Sequence, residues 1–207
     1  MIKERKLSTV LIVTLFSLLP TCIFGQSDST RYFILDLTAE SGVFFPRSED
    51  FQNTYNSKSN FNWSIGTKFG TSNWTFLPWI KYSQYQSKTD SVIANDTDND
   101  SLIIASRRQI SFGLMNPIRL KNDNYIQVKC GLTYNFLSEE STDLYSESFG
   151  FIMSAGYMRR ISKYLSYYMD LNYEYTKSSA GYTFKDWSGF LLNMGINLNF
   201  GADETLK

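Results

Sequence analysis

From about residue 31 onward, large apolar residues recur at every second position. The last such stretch is the clearest. Phe190, Leu192, Met194, Ile196, Leu198 and Phe200 share one parity, and Leu191, Asn193, Gly195, Asn197 and Asn199 hold the other. A period of two predicts a β-strand with one face in an apolar medium and the other in a polar one. Seven earlier stretches read the same way, at about 31–45, 61–69, 74–86, 104–116, 125–137, 149–159 and 165–175. In the first, Phe33, Leu35, Leu37 and Ala39 alternate with Asp36, Thr38 and Glu40. In the fifth, Ile126, Val128, Cys130, Leu132, Tyr134 and Phe136 alternate with Gln127, Lys129, Gly131, Thr133 and Asn135. In the seventh, Tyr167, Met169, Leu171, Tyr173 and Tyr175 oppose Tyr168, Asp170, Asn172 and Glu174.

The connections alternate as well. Those after the first, third, fifth and seventh stretches are long or polar, at about 46–60, 87–102, 138–148 and 176–185. Those after the second, fourth and sixth are short, at 70–73, 118–124 and 160–163. An even number of strands with this asymmetry predicts an all-β, eight-stranded antiparallel up-and-down β-barrel with both termini on the short-turn side. Two prolines interrupt the pattern. Pro78 calls for a bulge or strand irregularity, and Pro117 is expected to end the fourth strand.

Which parity faces inward separates two kinds of barrel. The polar parity carries Asp36, Glu40, Asp170 and Glu174, and also Lys68, Lys81, Arg107 and Lys129, four acids and four bases. Eight strands enclose an interior just wide enough for side chains or one small ligand. The small polar residues of this parity suit such a lumen, and its opposite charges can neutralise one another there. The bulky parity then faces lipid, as in a transmembrane barrel. Phe33, Phe61, Trp74, Tyr134, Phe136, Phe149, Tyr175, Phe190 and Phe200 fall near strand ends on that parity, where interfacial aromatics are expected. A soluble barrel with the apolar face inward remains the alternative.

Composition agrees with hidden alternation. Aromatics make up 16% of the 207 residues, with 14 Tyr and 16 Phe. Mean hydropathy is nonetheless slightly negative, at −0.26. At the N-terminus, Lys3, Arg5 and Lys6 precede an apolar run, Leu7 to Leu19, that is too short to span a bilayer. This reads as a cleaved signal peptide over residues 1–25, with a single domain over 26–207. Leu19-Pro20-Thr21 is a poor approach to an acylated Cys22, because a small residue is expected at Thr21. Removing Lys3, Arg5, Lys6 and Glu4 from 20 basic and 20 acidic residues leaves a net charge of −2, which offers nothing to nucleic acid. Cys130 is then the remaining cysteine, so no intramolecular disulfide is expected.

These features resemble the small porin-family outer-membrane β-barrel domains, OmpA/OmpX-like in architecture. The resemblance covers about residues 30–200. It is carried by the Gly25-Gln26 junction, the eight alternating stretches and the closing Gly195-Ile196-Asn197-Leu198-Asn199-Phe200. It implies a place in the bacterial outer membrane, with periplasmic termini and with lipid and lipopolysaccharide as surroundings. It also implies that the last strand is read by the barrel-assembly machinery. Such families usually end on the aromatic, whereas here seven residues follow Phe200.

The candidate chemistry is sparse. The chain has no His. A Ser nucleophile lacks its usual base, so no enzyme activity is expected. Asp96, Asp98 and Asp100 are spaced like the start of a calcium loop, but Ser101 stands where Gly is required and the distal Glu is missing. A solvated acidic loop is the plainer reading, and no metal or cofactor is expected. Three functions remain open: a structural or interaction barrel with long external loops, a narrow small-solute channel, and a soluble lipocalin-like ligand binder.

Overall fold

Alternating aromatic, aliphatic and small polar residues favour extended backbone here, and strand pairing satisfies its N–H and C=O groups. The structure, a computed structural model, describes residues 33–54, 59–71, 74–89, 103–139, 144–177 and 186–200. These form β1 (Phe33–Pro46), β2 (Asn60–Thr71), β3 (Leu77–Thr89), β4 (Ile103–Arg119), β5 (Asn124–Glu139), β6 (Leu144–Arg160), β7 (Leu165–Thr176) and β8 (Gly189–Asn199). A short helix, α1 (Glu49–Thr54), follows β1. Each strand pairs antiparallel with the next, and β8 returns to β1 to close an eight-stranded barrel. At the seam Glu40 pairs with Gly195 and Val43 with Leu192. Closure leaves no free edge to template association. The stretch expected as a signal peptide, the acidic residues 95–101 and the tail 201–207 lie outside the described residues.

Several strand ends differ from the sequence reading. The third strand begins at Leu77, not Trp74, because the turn after β2 closes through Trp74 N donating to Thr71 O (3.0 Å). Trp74 therefore packs toward an interior cluster. Pro78 sits in β3 opposite Leu114. The β2–β3 ladder stops at Lys68↔Trp79, so β3 has only β4 as a neighbour at Pro78 and loses no bond to β2 there. Pro117 likewise does not end β4, which continues to Arg119. The β3–β4 ladder ends at Leu77↔Met115, and past it β5 alone flanks β4. The β5–β6 hairpin pairs as far as Glu139↔Leu144, so much of the expected acidic loop is strand.

Parity is uniform along the strands. On β8, Phe190, Leu192, Met194, Ile196 and Leu198 point out, as does Phe200 beyond the strand, while Leu191, Asn193, Asn197 and Asn199 are buried inside. The outside of the barrel is therefore its apolar face.

Candidate functional site in the barrel lumen

The eight charged residues of the polar parity come from six strands: Asp36 and Glu40 from β1, Lys68 from β2, Lys81 from β3, Arg107 from β4, Lys129 from β5, and Asp170 and Glu174 from β7. Period two aims every one of them into the lumen, and there they pair one to one. Lys68 Nζ lies 2.9 Å from Asp36 Oδ2, and Lys81 Nζ 2.9 Å from Glu40 Oε1. Arg107 pairs with Glu174, and Lys129 with Asp170. The Asp36 pair joins neighbouring strands, the Glu40–Lys81 and Lys129–Asp170 pairs each skip one strand, and the Arg107–Glu174 pair reaches from β4 to β7.

Neutral donors complete the arrangement. Ser64 Oγ donates to Glu40 Oε1 (2.6 Å), and Tyr168 Oη donates to Glu40 Oε2 (3.1 Å). The Asn199 amide, with its nitrogen toward Asp36, donates to both carboxylate oxygens at 3.2 and 3.1 Å and accepts from Ser166 Oγ. Ser83 Oγ donates to Gln109 Oε1 (3.0 Å). The Lys129 ammonium also lies 5.1 Å from the Tyr168 ring centre. Each carboxylate thus meets a cation, and two of them meet neutral donors as well. This is the condition under which buried charge is tolerated.

Tyr168 reaches Glu40 by lying over the seam between β1 and β8. Gly195 stands beneath the ring, and a Cβ at that position would come within 2.7 Å of Tyr168 Cζ. Gly195→Val is therefore expected to displace Tyr168 from Glu40 and destabilise the barrel by about 1–3 kcal/mol, measured by urea unfolding.

Two apolar clusters flank the charges, and the sequence reading assigned neither of them. At the long-loop end, Phe44, Phe51, Tyr85, Leu137, Trp187 and Leu191 are all buried. Phe51 belongs to α1, in a segment expected to be a polar loop, and is 0% exposed. Gln52 Nε2 helps hold the helix over the mouth by donating to Pro46 O (2.7 Å). The Phe51 and Trp187 rings meet edge to face at 5.2 Å. Below them Arg107 lies 4.5 Å from the Tyr85 ring centre and 5.0 Å from that of Phe44, and it donates to Trp187 O (3.3 Å). The Arg107–Glu174 pair thus lies directly beneath this cluster. Toward the short turns a second cluster gathers Leu77, Trp79, Met115 and Ile152, with Ile34 and Trp74 against it. One signal was present in the sequence. Phe44, Tyr85, Leu137 and Leu191 interrupt the polar parity near the same end of four strands.

Between the clusters a cavity of about 40 Å³ lies among Glu40, Lys68, Lys81, Lys129, Trp79 and Tyr168. That is room for a few water molecules. It falls far below the roughly 300 Å³ at which small-molecule sites begin. Among the described residues, the four carboxylates and four cations of the lumen neutralise one another.

The architecture is that of small eight-stranded outer-membrane barrels. No protein-family model and no curated protein sequence matches the chain. Among solved structures it is similar to Neisserial surface protein A (NspA), at 12% identity and a TM-score of 0.57, over 83% of this chain and 100% of that one. It is also similar to a major outer membrane protein from Thermus thermophilus, at 11% identity and a TM-score of 0.50, over 83% and 100% of the two chains. At these identities the likeness defines the fold.

Proposed function

We propose that the chain is an outer-membrane protein whose strands cross the lipid, and that it serves as a structural or surface-contact barrel with a sealed lumen. The observation that carries this reading is the inversion of polarity across the wall. Asp36, Glu40, Arg107, Asp170 and Glu174 are each under 8% exposed inside, while among the described residues 33 large apolar side chains stand exposed outside. Contiguous apolar surface on a soluble monomer seldom exceeds a few hundred Å². A belt around a whole barrel needs an apolar solvent, and lipid is one. Aromatic pairs support it near the long-loop end: Tyr134 with Phe149 at 5.0 Å, Phe151 with Tyr175 at 5.1 Å and Tyr173 with Phe190 at 5.2 Å. Near the short turns, exposed Tyr157 donates to Asn124 Oδ1 (2.6 Å), as an amphipathic ring at an interface does.

On this reading the short turns and both termini face the periplasm, and the long connections face outward, available for surface contacts. Lipid and lipopolysaccharide surround the wall. Strand β8, continued by exposed Phe200, is the segment offered to the barrel-assembly machinery. Phe200 N donates to Leu35 O (2.8 Å), so the aromatic is fastened to the neighbouring strand. The ion pairs and the two apolar clusters act as a seal, and the small central cavity has no room for a ligand of drug size.

The test is fractionation with heat modifiability. The protein is expected in the outer-membrane pellet after a carbonate wash, with an altered mobility when loaded unboiled. Planar-bilayer recordings are expected to show no steps above the lipid baseline. Recovery in the soluble periplasmic fraction would overturn the membrane reading, and steady conductance steps would overturn the seal.

A further inference from the structure

Positive charge collects in two of the short turns. The short turns after β4 and β6, residues 118–125 and 158–165, hold Arg119, Lys121, Arg159, Arg160 and Lys163 against the single carboxylate of Asp123. Two of the long connections carry acid instead, with Asp90, Asp96, Asp98 and Asp100 between β3 and β4 and Glu140 and Asp143 between β5 and β6.

The two basic turns form one surface. Asn124 pairs with Arg159 across the β5–β6 ladder, and Arg160 N donates to Asp123 O (3.0 Å) from turn to turn. Each turn is closed by its own backbone bond, Leu120 N to Asn124 O (2.7 Å) and Ile161 N to Leu165 O (2.9 Å). Asn122 and Asp123 adopt φ of 58° and 56°, left-handed values that Asn and Asp tolerate in a tight turn. The backbone carrying the cations is therefore well defined. Arg119, Lys121, Arg159 and Lys163 are exposed, and Arg160 lies over the Tyr125 ring at 6.0 Å. Arg119 meets Asp123 at 3.2 Å, which leaves a large excess of positive charge.

Apolar side chains interleave with these cations. Ile118, Leu120, Ile161 and Tyr164 are 46, 43, 61 and 61% exposed. Large aliphatic groups beside ammonium and guanidinium groups match a boundary where acyl chains give way to phosphates. A soluble acidic partner would match the cations and leave the aliphatic groups in water.

We infer that this rim binds the headgroup phosphates of anionic phospholipids, of the phosphatidylglycerol class, in the leaflet that the short turns enter. The cations neutralise phosphate while Ile118, Leu120, Ile161 and Tyr164 sit among the first carbons of the chains. The inference rests on the transmembrane reading above. It adds a lipid preference and confines it to the β4–β7 half of one end of the barrel.

The test is electron paramagnetic resonance on the protein refolded into phosphatidylcholine vesicles, with trace spin-labelled phosphatidylglycerol or phosphatidylcholine. A basic residue at a lipid surface contributes about 1 kcal/mol, so the immobilised fraction is expected to favour phosphatidylglycerol by about two- to fivefold. In 1 M salt, where the screening length is about 3 Å, that preference is expected to fall toward unity. The quadruple variant Arg119→Gln, Lys121→Gln, Arg159→Gln, Lys163→Gln is expected to lose it, whereas Arg47→Gln with Lys177→Gln, at the other end, keeps it. Unboiled gel mobility is read on every sample. A barrel that never inserts sinks the transmembrane reading along with this one. An inserted wild-type barrel without a salt-sensitive preference, or equal loss in the two variants, sinks the rim assignment alone. So does capture by soluble polyglutamate with no selectivity among the lipids.

Discussion

Replacing Glu174 with Leu is expected to cost the folded barrel about 3–5 kcal/mol, read as a lower urea midpoint with unchanged slope. Glu174 is 0% exposed, and its partner Arg107 is 1% exposed. Removing the carboxylate leaves a guanidinium sealed under Phe44, Tyr85 and Trp187 with no counter-charge. The desolvation already imposed on that cation is then uncompensated, which is why breaking a buried pair costs more than the pair contributes. The double variant Arg107→Met, Glu174→Leu removes both charges and is expected to recover most of the loss. Arg107 also donates to Trp187 O, so recovery is not complete. A surface comparison sets the scale. Arg119 and Asp123 also pair, but their side chains are 67 and 36% exposed. Asp123→Asn is therefore expected to cost less than about 1 kcal/mol. Equal costs at the two sites would show that water reaches Glu174, and the seal would fall.

Met194→Arg is expected to reduce the stability of the vesicle-inserted barrel by about 2–4 kcal/mol, the cost of a cation on the lipid face near mid-membrane. Met194 points outward near the middle of β8 and is 56% exposed. In water an exposed position of this kind tolerates substitution to within about 0.5 kcal/mol. The same change thus gives different results for the two orientations of the barrel, without any need to know a ligand. Leu198→Arg, closer to the strand end, is expected to cost about 1 kcal/mol or less, because a long cation there reaches the headgroups. A flat response along β8 would argue that the apolar face does not contact lipid. Refolding into vesicles of defined thickness, followed by urea unfolding, measures both.

Much of the barrel was legible because a strand has a period of two. Asp36, Lys68, Arg107 and Glu174 could each be assigned to the polar face without knowing any neighbour. Their one-to-one pairing could not. Arg107 and Glu174 lie on β4 and β7, 67 positions apart, and meet only because closure folds those walls toward each other. Phe51 was hidden for another reason. It stands among polar residues, in a helix of six residues with too few turns to show a period. Its burial comes from the mouth of the barrel and its contact with Trp187, both nonlocal. The prolines misled because local rules describe a strand paired on both sides. At Pro78 and Pro117 staggered ladders leave one side open.

The sequence by itself determined strand number, parity, the inward charges and the outward apolar belt, since each depends on residue identity at alternate positions. The tertiary structure decided which charges pair, where the buried apolar clusters form and that the two basic turns lie side by side. Those depend on register and closure, which bring together atoms far apart in the chain and which no local period encodes.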